Sequence, residues 1–299
     1  MKTKMNNNIK IAYFGGEPLG VPALEALYKE KIIPELIICN PDRPSGRGQQ
    51  LTPPPIKIWA GKHAIETFQP GSFDEDANLE LLSERGPWDL FIVVAYNHIL
   101  PKWLIELPKY KTINLHPSLL PKLRGPSPIR TAILENRPEQ LGVSIMLMDE
   151  EMDHGPLLAQ ESFKIDEDAW PVNGDVLDKK MSIVGGELLA QTVKQWVEQK
   201  ISPVDQNHNE ATYTKKMTKA MAEISLDPLS LPTGEEAQQL LFKIKAMRGF
   251  PGTFFFYQEK RIKITDAEID SAGKLKPLSV IPEGKKETDF TTWQSTLKS

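Results

Sequence analysis

The chain has 299 residues, of which 40% are hydrophobic and 25% are charged, and these are the proportions of an ordinary globular protein rather than of a disordered or fibrous one. A single hydrophobic core stops growing at about 250–300 residues, so the length favours one large domain and one small domain. The net charge of −4 does not by itself indicate a nucleic-acid partner, and the single cysteine, Cys39, excludes a disulfide within the chain.

Near-continuous apolar runs predict the strands of a sheet that is covered on both faces. The five runs are residues 9–14, 35–40, 89–96, 112–116 and 142–148. Helical patterns at 21–30 and 126–136 lie between successive runs. This alternation predicts an α/β fold with a Rossmann-like, doubly wound and mainly parallel sheet.

The pattern changes after a long helix that is predicted over 172–200. Residues 202–210 are rich in polar residues and predict a linker. A helix follows, with Thr233 and Glu236 as a predicted capping box, and then a hairpin and a further strand. We therefore expect a large domain over 8–201 and a small, mostly β domain over 211–299.

No run approaches the roughly 20 apolar residues of a membrane span, and the first residues lack the apolar stretch of a signal peptide. We therefore expect a cytoplasmic protein with no membrane partner. The absence of an obvious interface stripe leads us to expect a monomer.

Unusual polar or Pro- and Gly-rich segments follow all five predicted strands. In an open parallel sheet, ligands bind beyond the carboxyl ends of the strands, so these segments predict one shared site at that edge. In chain order the segments are GGEPLG, PDRPSGRG, NHILP, HPSLLP and DEEMDHG.

Asn114 and His116 are the strongest candidates for chemistry at this edge. They lie two residues apart at the end of a strand, so their side chains share one face, and Pro117 ends the strand. Asp153 precedes a His-Gly-Pro turn that can direct its carboxylate inward, whereas Glu150 and Glu151 are better explained as solvated residues.

Three other chemistries fit this pattern less well. A metal site at His116 and the acidic run lacks a metal-ligand spacing, and we expect no metal. A serine hydrolase built on Ser118 lacks the G-x-S-x-G elbow. A dinucleotide enzyme requires G-x-G-x-x-G in the first turn, where this chain has GGEPLG.

The combination of HPSLLPKLRGPSPI (116–129) and GVSIMLMDEEMDHGP (142–156) resembles the folate-dependent formyltransferases. The signature of that family is an Asn-x-His strand end, an SLLP loop and a later Asp-x-Gly turn. NPDRPSGRG and AYNHILP extend the resemblance to the branch that acts on methionyl initiator tRNA, and the resemblance runs from about residue 9 to the end.

The resemblance implies a Rossmann-like catalytic domain and a C-terminal OB-like barrel domain that binds tRNA. It implies transfer of the formyl group of 10-formyltetrahydrofolate, the co-substrate, to the amino group of methionine on initiator tRNA, for translation initiation. The catalytic residues would be Asn114, His116 and Asp153. The folate-binding residues would be Ser118, Leu119, Leu120 and Pro121. The tRNA-binding residues would be Arg43, Arg47, Lys57, Lys285 and Lys286.

Two features depart from the family pattern. The first turn usually reads Gly-Thr-Pro followed by an acid, and here Gly16 replaces the threonine. The C-terminal domain is also short, which implies a shortened barrel. The main alternative is a sugar-nucleotide N-formyltransferase, which would share the trio of Asn114, His116 and Asp153. A non-catalytic protein that binds folate or tRNA is a second alternative, but it would leave these three residues without a role.

Overall fold

The computed structural model describes residues 9–16, 18–45, 48–73 and 82–297. The chain divides into two compact units. The first comprises Met1–Arg124, Gly142–Phe163 and Lys179–Thr212, and the second comprises Gly125–Leu141, Lys164–Asp178 and Tyr213–Ser299. The domain boundaries drawn from the sequence, 8–201 and 211–299, stay a prediction, because compactness does not test whether either part folds alone.

A seven-stranded sheet forms the centre of the first unit. The strands in chain order are β1 (Ile11–Gly15), β2 (Leu36–Cys39), β3 (Arg43–Ser45), β4 (Gln50–Thr52), β5 (Glu66–Phe68), β6 (Leu90–Val94), β7 (Thr112–His116), β8 (Gly142–Leu147) and β9 (Leu157–Ser162). The sheet has the order β5-β2-β1-β6-β7-β8-β9, while β3 and β4 form a separate hairpin. All five strands predicted from the apolar runs are present.

The first five strands of this order, up to β7, are parallel, which confirms the predicted Rossmann-like α/β sheet. β8 is antiparallel to β7, with Ile113 opposite Leu147 and His116 opposite Ser144. The expectation that all five polar segments leave from one edge is therefore wrong for the last one. DEEMDHG follows β8 at the opposite edge, beside the start of β7.

Helices and side chains cover both faces of this sheet. The helices of the first unit are α1 (Gly20–Lys29), α2 (Pro55–Lys62), α3 (Lys102–Glu106) and most of α5 (Gly174–Val197), whereas α4 (Pro128–Leu134) belongs to the second unit. On one face Ile113 and Leu115 join a core with Leu189 of α5. On the other face Phe14 and Phe91 pack with Leu104 of α3. The burial of both faces explains the near-continuous apolar strands.

The second unit contains an antiparallel sheet, which confirms the predicted mostly β C-terminal part. Its elements are α6 (Gly234–Met247), β10 (Phe254–Tyr257), β11 (Lys260–Ile269), β12 (Leu275–Pro282), β13 (Thr288–Asp289) and α7 (Phe290–Ser295). The strand order is β10-β11-β12-β13. Thr233 is the N-cap of α6, but its side chain makes no capping hydrogen bond, so the predicted capping box is wrong.

Candidate active site

β7 ends in two polar side chains on one face of the sheet. Ile113 and Leu115 point into the core on the opposite face, so Asn114 and His116 point away from it. His116 is 4% exposed, whereas Asn114 is only partly buried. Among the described residues, the Asn114 side-chain amide has no hydrogen-bond partner, so its amide N–H is open to a ligand.

The His116 ring lies between two hydrogen-bond acceptors. Its Nε2 is 3.0 Å from the carbonyl oxygen of Leu123, and its Nδ1 is 3.5 Å from Oδ1 of Asp153. A carbonyl and a carboxylate have no proton to donate, so Nε2 must be the donor to Leu123. A neutral ring satisfies only one of the two acceptors, and a ring that donates to both carries two protons and a positive charge.

Asp153 reaches His116 through an unusual loop. The loop begins at the end of β8, beside the start of β7, and it must run back along the sheet to meet His116 at the far end of β7. Asp153 itself has φ 52°, a left-handed conformation that aspartate tolerates better than most residues. Its side chain is 12% exposed, so the carboxylate that faces His116 is mostly shielded from solvent.

The SLLP segment is largely buried and bonded within the protein. Ser118 is fully buried, and its Oγ donates to the carbonyl oxygen of Lys122 at 2.7 Å. Leu120 is 3% exposed, with its N–H donating to Ser144 Oγ and its carbonyl accepting from Gln160 Nε2. Leu119 and Pro121 are partly exposed. Of the four residues of the SLLP segment, Leu119 and Pro121 are therefore the two with side-chain surface that a ligand can contact.

Sequence reasoning missed the residues that hold the far side of this loop. The N–H of Leu123 donates to Thr212 Oγ1 at 2.8 Å, and the N–H of Arg124 donates to the Thr212 carbonyl at 2.8 Å. Leu123 has φ 60°, which is strained for a leucine and directs its carbonyl to His116. The predicted linker before Thr212 is packed against the same region, since Gln206 is 5% exposed.

Gly16 in the first turn packs closely against a buried asparagine. A Cβ on Gly16 would lie 2.3 Å from Nδ2 of Asn40, which is 4% exposed. Oδ1 of Asn40 is 3.1 Å from Nε2 of His98, in the loop after β6. The Asn40 amide therefore occupies the space that a larger residue at position 16 would need.

The long loop predicted at 40–60 contains the β3–β4 hairpin and the start of α2. Arg43 is exposed on β3. Lys57 is half-buried instead, and its Nζ donates to Asp42 at 2.9 Å and to Gln69 at 2.6 Å. Hydrogen bonds from Gln69 and then from Lys57 hold the pKa of Asp42 below its ordinary value. Lys57 thus anchors the base of the hairpin, while Arg43 faces solvent.

The structure describes two of the three other predicted tRNA-binding residues. Arg47 falls outside the described residues. Lys285 and Lys286 are exposed on the turn between β12 and β13 in the second unit.

A cavity of about 250 Å³ lies near α3 and the end of β8. Its lining includes Lys102, Lys111, Leu147 and Glu150 but none of the three candidate catalytic residues. In the described part of the chain, no group of three or more histidine, cysteine, aspartate or glutamate side chains is placed to hold a metal ion.

Over residues 9–16, 18–45, 48–73 and 82–297, none of the helices combines the length and apolar character that crossing a membrane requires.

The chain thus has an α/β sheet in which β7, next to the central strand β6, ends in Asn-x-His, with an aspartate against the imidazole. The formyl transferase family matches residues 9–191. The chain belongs to the formyl transferase family.

Within that family, proteins named methionyl-tRNA formyltransferase are similar to nearly the whole chain. The protein from Hydrogenobaculum sp. (strain Y04AAS1) is 36% identical over 93% of this chain and 86% of its own length. The protein from Ehrlichia chaffeensis (strain ATCC CRL-10679 / Arkansas) is 37% identical over 91% of this chain and 86% of its own length.

Solved formyltransferase structures share the fold. A 4-N formyltransferase from Francisella tularensis has a TM-score of 0.61 and 21% identity, covering 90% of this chain and 96% of its own. An N-formyltransferase from Helicobacter canadensis, in complex with folinic acid and dTDP-3-aminofucose, has a TM-score of 0.64 and 18% identity, covering 90% and 99%. At these identities the likeness extends to the fold alone.

Proposed function

We propose that this chain transfers the formyl group of 10-formyltetrahydrofolate to the α-amino group of methionine on initiator tRNA. The observation that carries the proposal is the similarity to methionyl-tRNA formyltransferases, which is 36% identity over 93% of the chain and so extends well beyond the formyl transferase match at 9–191. Such an enzyme would act in the cytoplasm, where initiator tRNA is charged.

The nucleophile in this reaction needs little activation. A free α-amino group has a reference pKa of about 7.7–8.0, so part of it is neutral near pH 7. The amine nitrogen attacks the formyl carbon, and a tetrahedral intermediate with an oxyanion forms. The bond from that carbon to N10 of the folate then breaks, while a proton passes from the attacking nitrogen to N10. The enzyme must stabilise the oxyanion and assist this proton transfer.

Asn114 is the residue we assign to the oxyanion. Its amide is partly exposed at the end of β7 and is not engaged by other described residues, so it can donate to a ligand oxygen. A donor of this kind typically contributes about 3–4 kcal/mol of transition-state stabilisation.

His116 is the residue we assign to proton transfer, with Asp153 as its partner. When both ring nitrogens are protonated, the ring can donate to Leu123 and to Asp153, and it can then supply a proton to the departing N10. The Asp153 carboxylate, which is mostly buried and 3.5 Å from Nδ1, would stabilise that protonated ring. Because both ring nitrogens are engaged here, one of these contacts has to open when the ring meets the substrate.

The SLLP loop would serve the folate mainly through its shape. Ser118 and Leu120 use their polar groups within the protein, so they would fix the course of the loop. Leu119 and Pro121 remain partly exposed and are the two residues of this segment that would contact the folate.

The tRNA contacts we propose are sequence-independent and electrostatic. Arg43 is exposed on the β3–β4 hairpin, and Lys285 and Lys286 are exposed on a turn of the second unit, so all three can reach phosphates. Arg47 remains part of the proposal from the sequence alone, since it lies outside the described residues. Lys57 would contribute indirectly, because its bonds to Asp42 and Gln69 hold the base of the hairpin.

The decisive experiment is a formyl-transfer assay with 10-formyltetrahydrofolate and three acceptors. These are methionyl initiator tRNA, methionyl elongator tRNA and an amino-sugar nucleotide. Formylation of the initiator alone is the expected result. Transfer to the sugar alone would leave the catalytic assignment standing and overturn the substrate, and a lack of transfer to any acceptor would overturn the function.

A further inference from the structure

A buried glutamine joins the two loops that flank the His116 ring. One loop, residues 121–124, presents the Leu123 carbonyl to Nε2, and the other, residues 153–155, presents the Asp153 carboxylate to Nδ1. Gln206 is 5% exposed and lies between them. It comes from the segment that the sequence indicated only as a linker.

Gln206 is bonded on both sides through its amide. Its Oε1 accepts from Arg124 Nη2 at 2.7 Å and from Nε at 3.2 Å. Its Nε2 donates to the backbone carbonyls of Asp153, at 3.0 Å, and Gly155, at 2.7 Å. Four contacts thus connect the two loops through one side chain.

Only one orientation of the amide satisfies this arrangement. A guanidinium has donors and no acceptor, and a backbone carbonyl has acceptors and no donor. The oxygen of Gln206 must therefore face Arg124, and the nitrogen must face the 153–155 loop. Arg124 is 1% exposed and also donates to His208 Nδ1 at 2.8 Å. The guanidinium that holds Oε1 of Gln206 is therefore shielded from solvent and is itself held by a second contact.

We propose that Gln206 and Arg124 are positioning residues that set Asp153 against the His116 ring. The inference rests on the proposed function, since it assigns these residues to the same formyl transfer. Neither residue touches the reacting atoms in this role. They act by fixing the backbone of the Asp153 loop relative to the loop that carries the Leu123 carbonyl.

Gln206→Glu tests this link with little change in shape. A carboxylate still accepts from Arg124 but has no proton to donate to the carbonyls of Asp153 and Gly155, so that loop is released. Gln191→Glu, on an exposed position of α5, is the matched control because it makes the same chemical change away from the site.

We expect Gln206→Glu to lower kcat about 10- to 100-fold with little change in KM, since small misplacements of reacting groups cost rates of this order. The pH profile of kcat should also shift. In an Asp153→Asn background the same substitution should have little further effect, because the group it positions is already gone. A full additional loss in that background, or an unchanged pH profile, would overturn the proposal.

A measurement without substrate separates this proposal from the proposed function. The ¹⁵N NMR signals of the His116 ring, assigned with a His116→Gln variant, should change in Gln206→Glu and not in Gln191→Glu. If the wild-type chain formylates no acceptor, the function fails while the ring signals still test the positioning. If the wild type is active and the ring signals are the same in all three proteins, the positioning role is wrong.

Discussion

Asp153→Asn should abolish most turnover while leaving the protein folded. The Asp153 carboxylate lies 3.5 Å from His116 Nδ1, and the two side chains are 12% and 5% exposed. At an effective dielectric constant of about 20, two unit charges at this separation attract by about 5 kcal/mol. Since about 1.4 kcal/mol corresponds to a factor of ten in rate, the upper bound is a loss of roughly 3,000-fold.

The expected loss lies somewhat below that bound, at about 100- to 1,000-fold in kcat, because an amide keeps part of the polarity of the carboxylate. There is also a specific reason for the loss. The side-chain amide introduced by Asp153→Asn can donate to Nδ1 while Nε2 donates to the Leu123 carbonyl, so the neutral ring is fully satisfied. The substitution would then favour the neutral form of His116, which lacks the second ring proton that we assign to transfer.

The assay is single-turnover formylation of methionyl initiator tRNA, with thermal unfolding measured in parallel. Glu150→Gln is the matched control, since Glu150 lies in the same loop but is exposed and pairs with Lys102. The control should retain its rate. A folded Asp153→Asn protein whose kcat stays within about threefold of the wild type would refute the assignment of Asp153.

Three further predictions concern other parts of the chain. Asn114→Ala should lower kcat by about 100- to 1,000-fold with little change in KM in the same assay, because it removes a donor used mainly in the transition state. Arg43→Ala should raise KM for tRNA, and it should reduce the slope of the log of the binding constant against the log of the salt concentration by about one. Lys57→Ala should in addition lower the melting temperature of the protein, because Lys57 is paired with Asp42 at the base of the hairpin. Phe255→Ala, at a fully buried position of β10, should lower the free energy of unfolding by about 3–5 kcal/mol in a denaturant titration, and a change under about 1 kcal/mol would contradict the burial.

The strands were predictable because burial on both faces leaves long apolar runs in the sequence. The direction of β8 was not predictable in the same way. A helical pattern at 126–136 lies between β7 and β8, which is typical of a crossover between parallel strands, yet β8 pairs antiparallel with β7. Apolar runs report that a strand is buried and carry no information on its direction.

Some residues of the candidate site were likewise predictable from a sequence pattern, and others were not. Asn114 and His116 were predictable because a polar pair at period two interrupts an apolar strand. Gln206 was not, because a single glutamine in a polar segment has no periodicity, and its role depends on two loops more than 50 residues away in sequence. Leu123 was also missed, because the group that contacts His116 is its backbone carbonyl, which every residue type possesses.

The convergence of distant segments on one imidazole explains how a weakly activated nucleophile can suffice. Leu123, Asp153 and the Gln206 bridge come from three separate parts of the first unit, and each of them acts on His116 or on a loop beside it. None of these contacts depends on which amine attacks the formyl carbon, since each of them acts on the ring or on a loop beside it. The cluster that we propose as catalytic would therefore suit amine formylation in general, and we expect selection of methionyl initiator tRNA to come from surfaces outside it. Arg43 on the hairpin and the Lys285–Lys286 turn are the exposed basic surfaces on which tRNA binding itself can be tested.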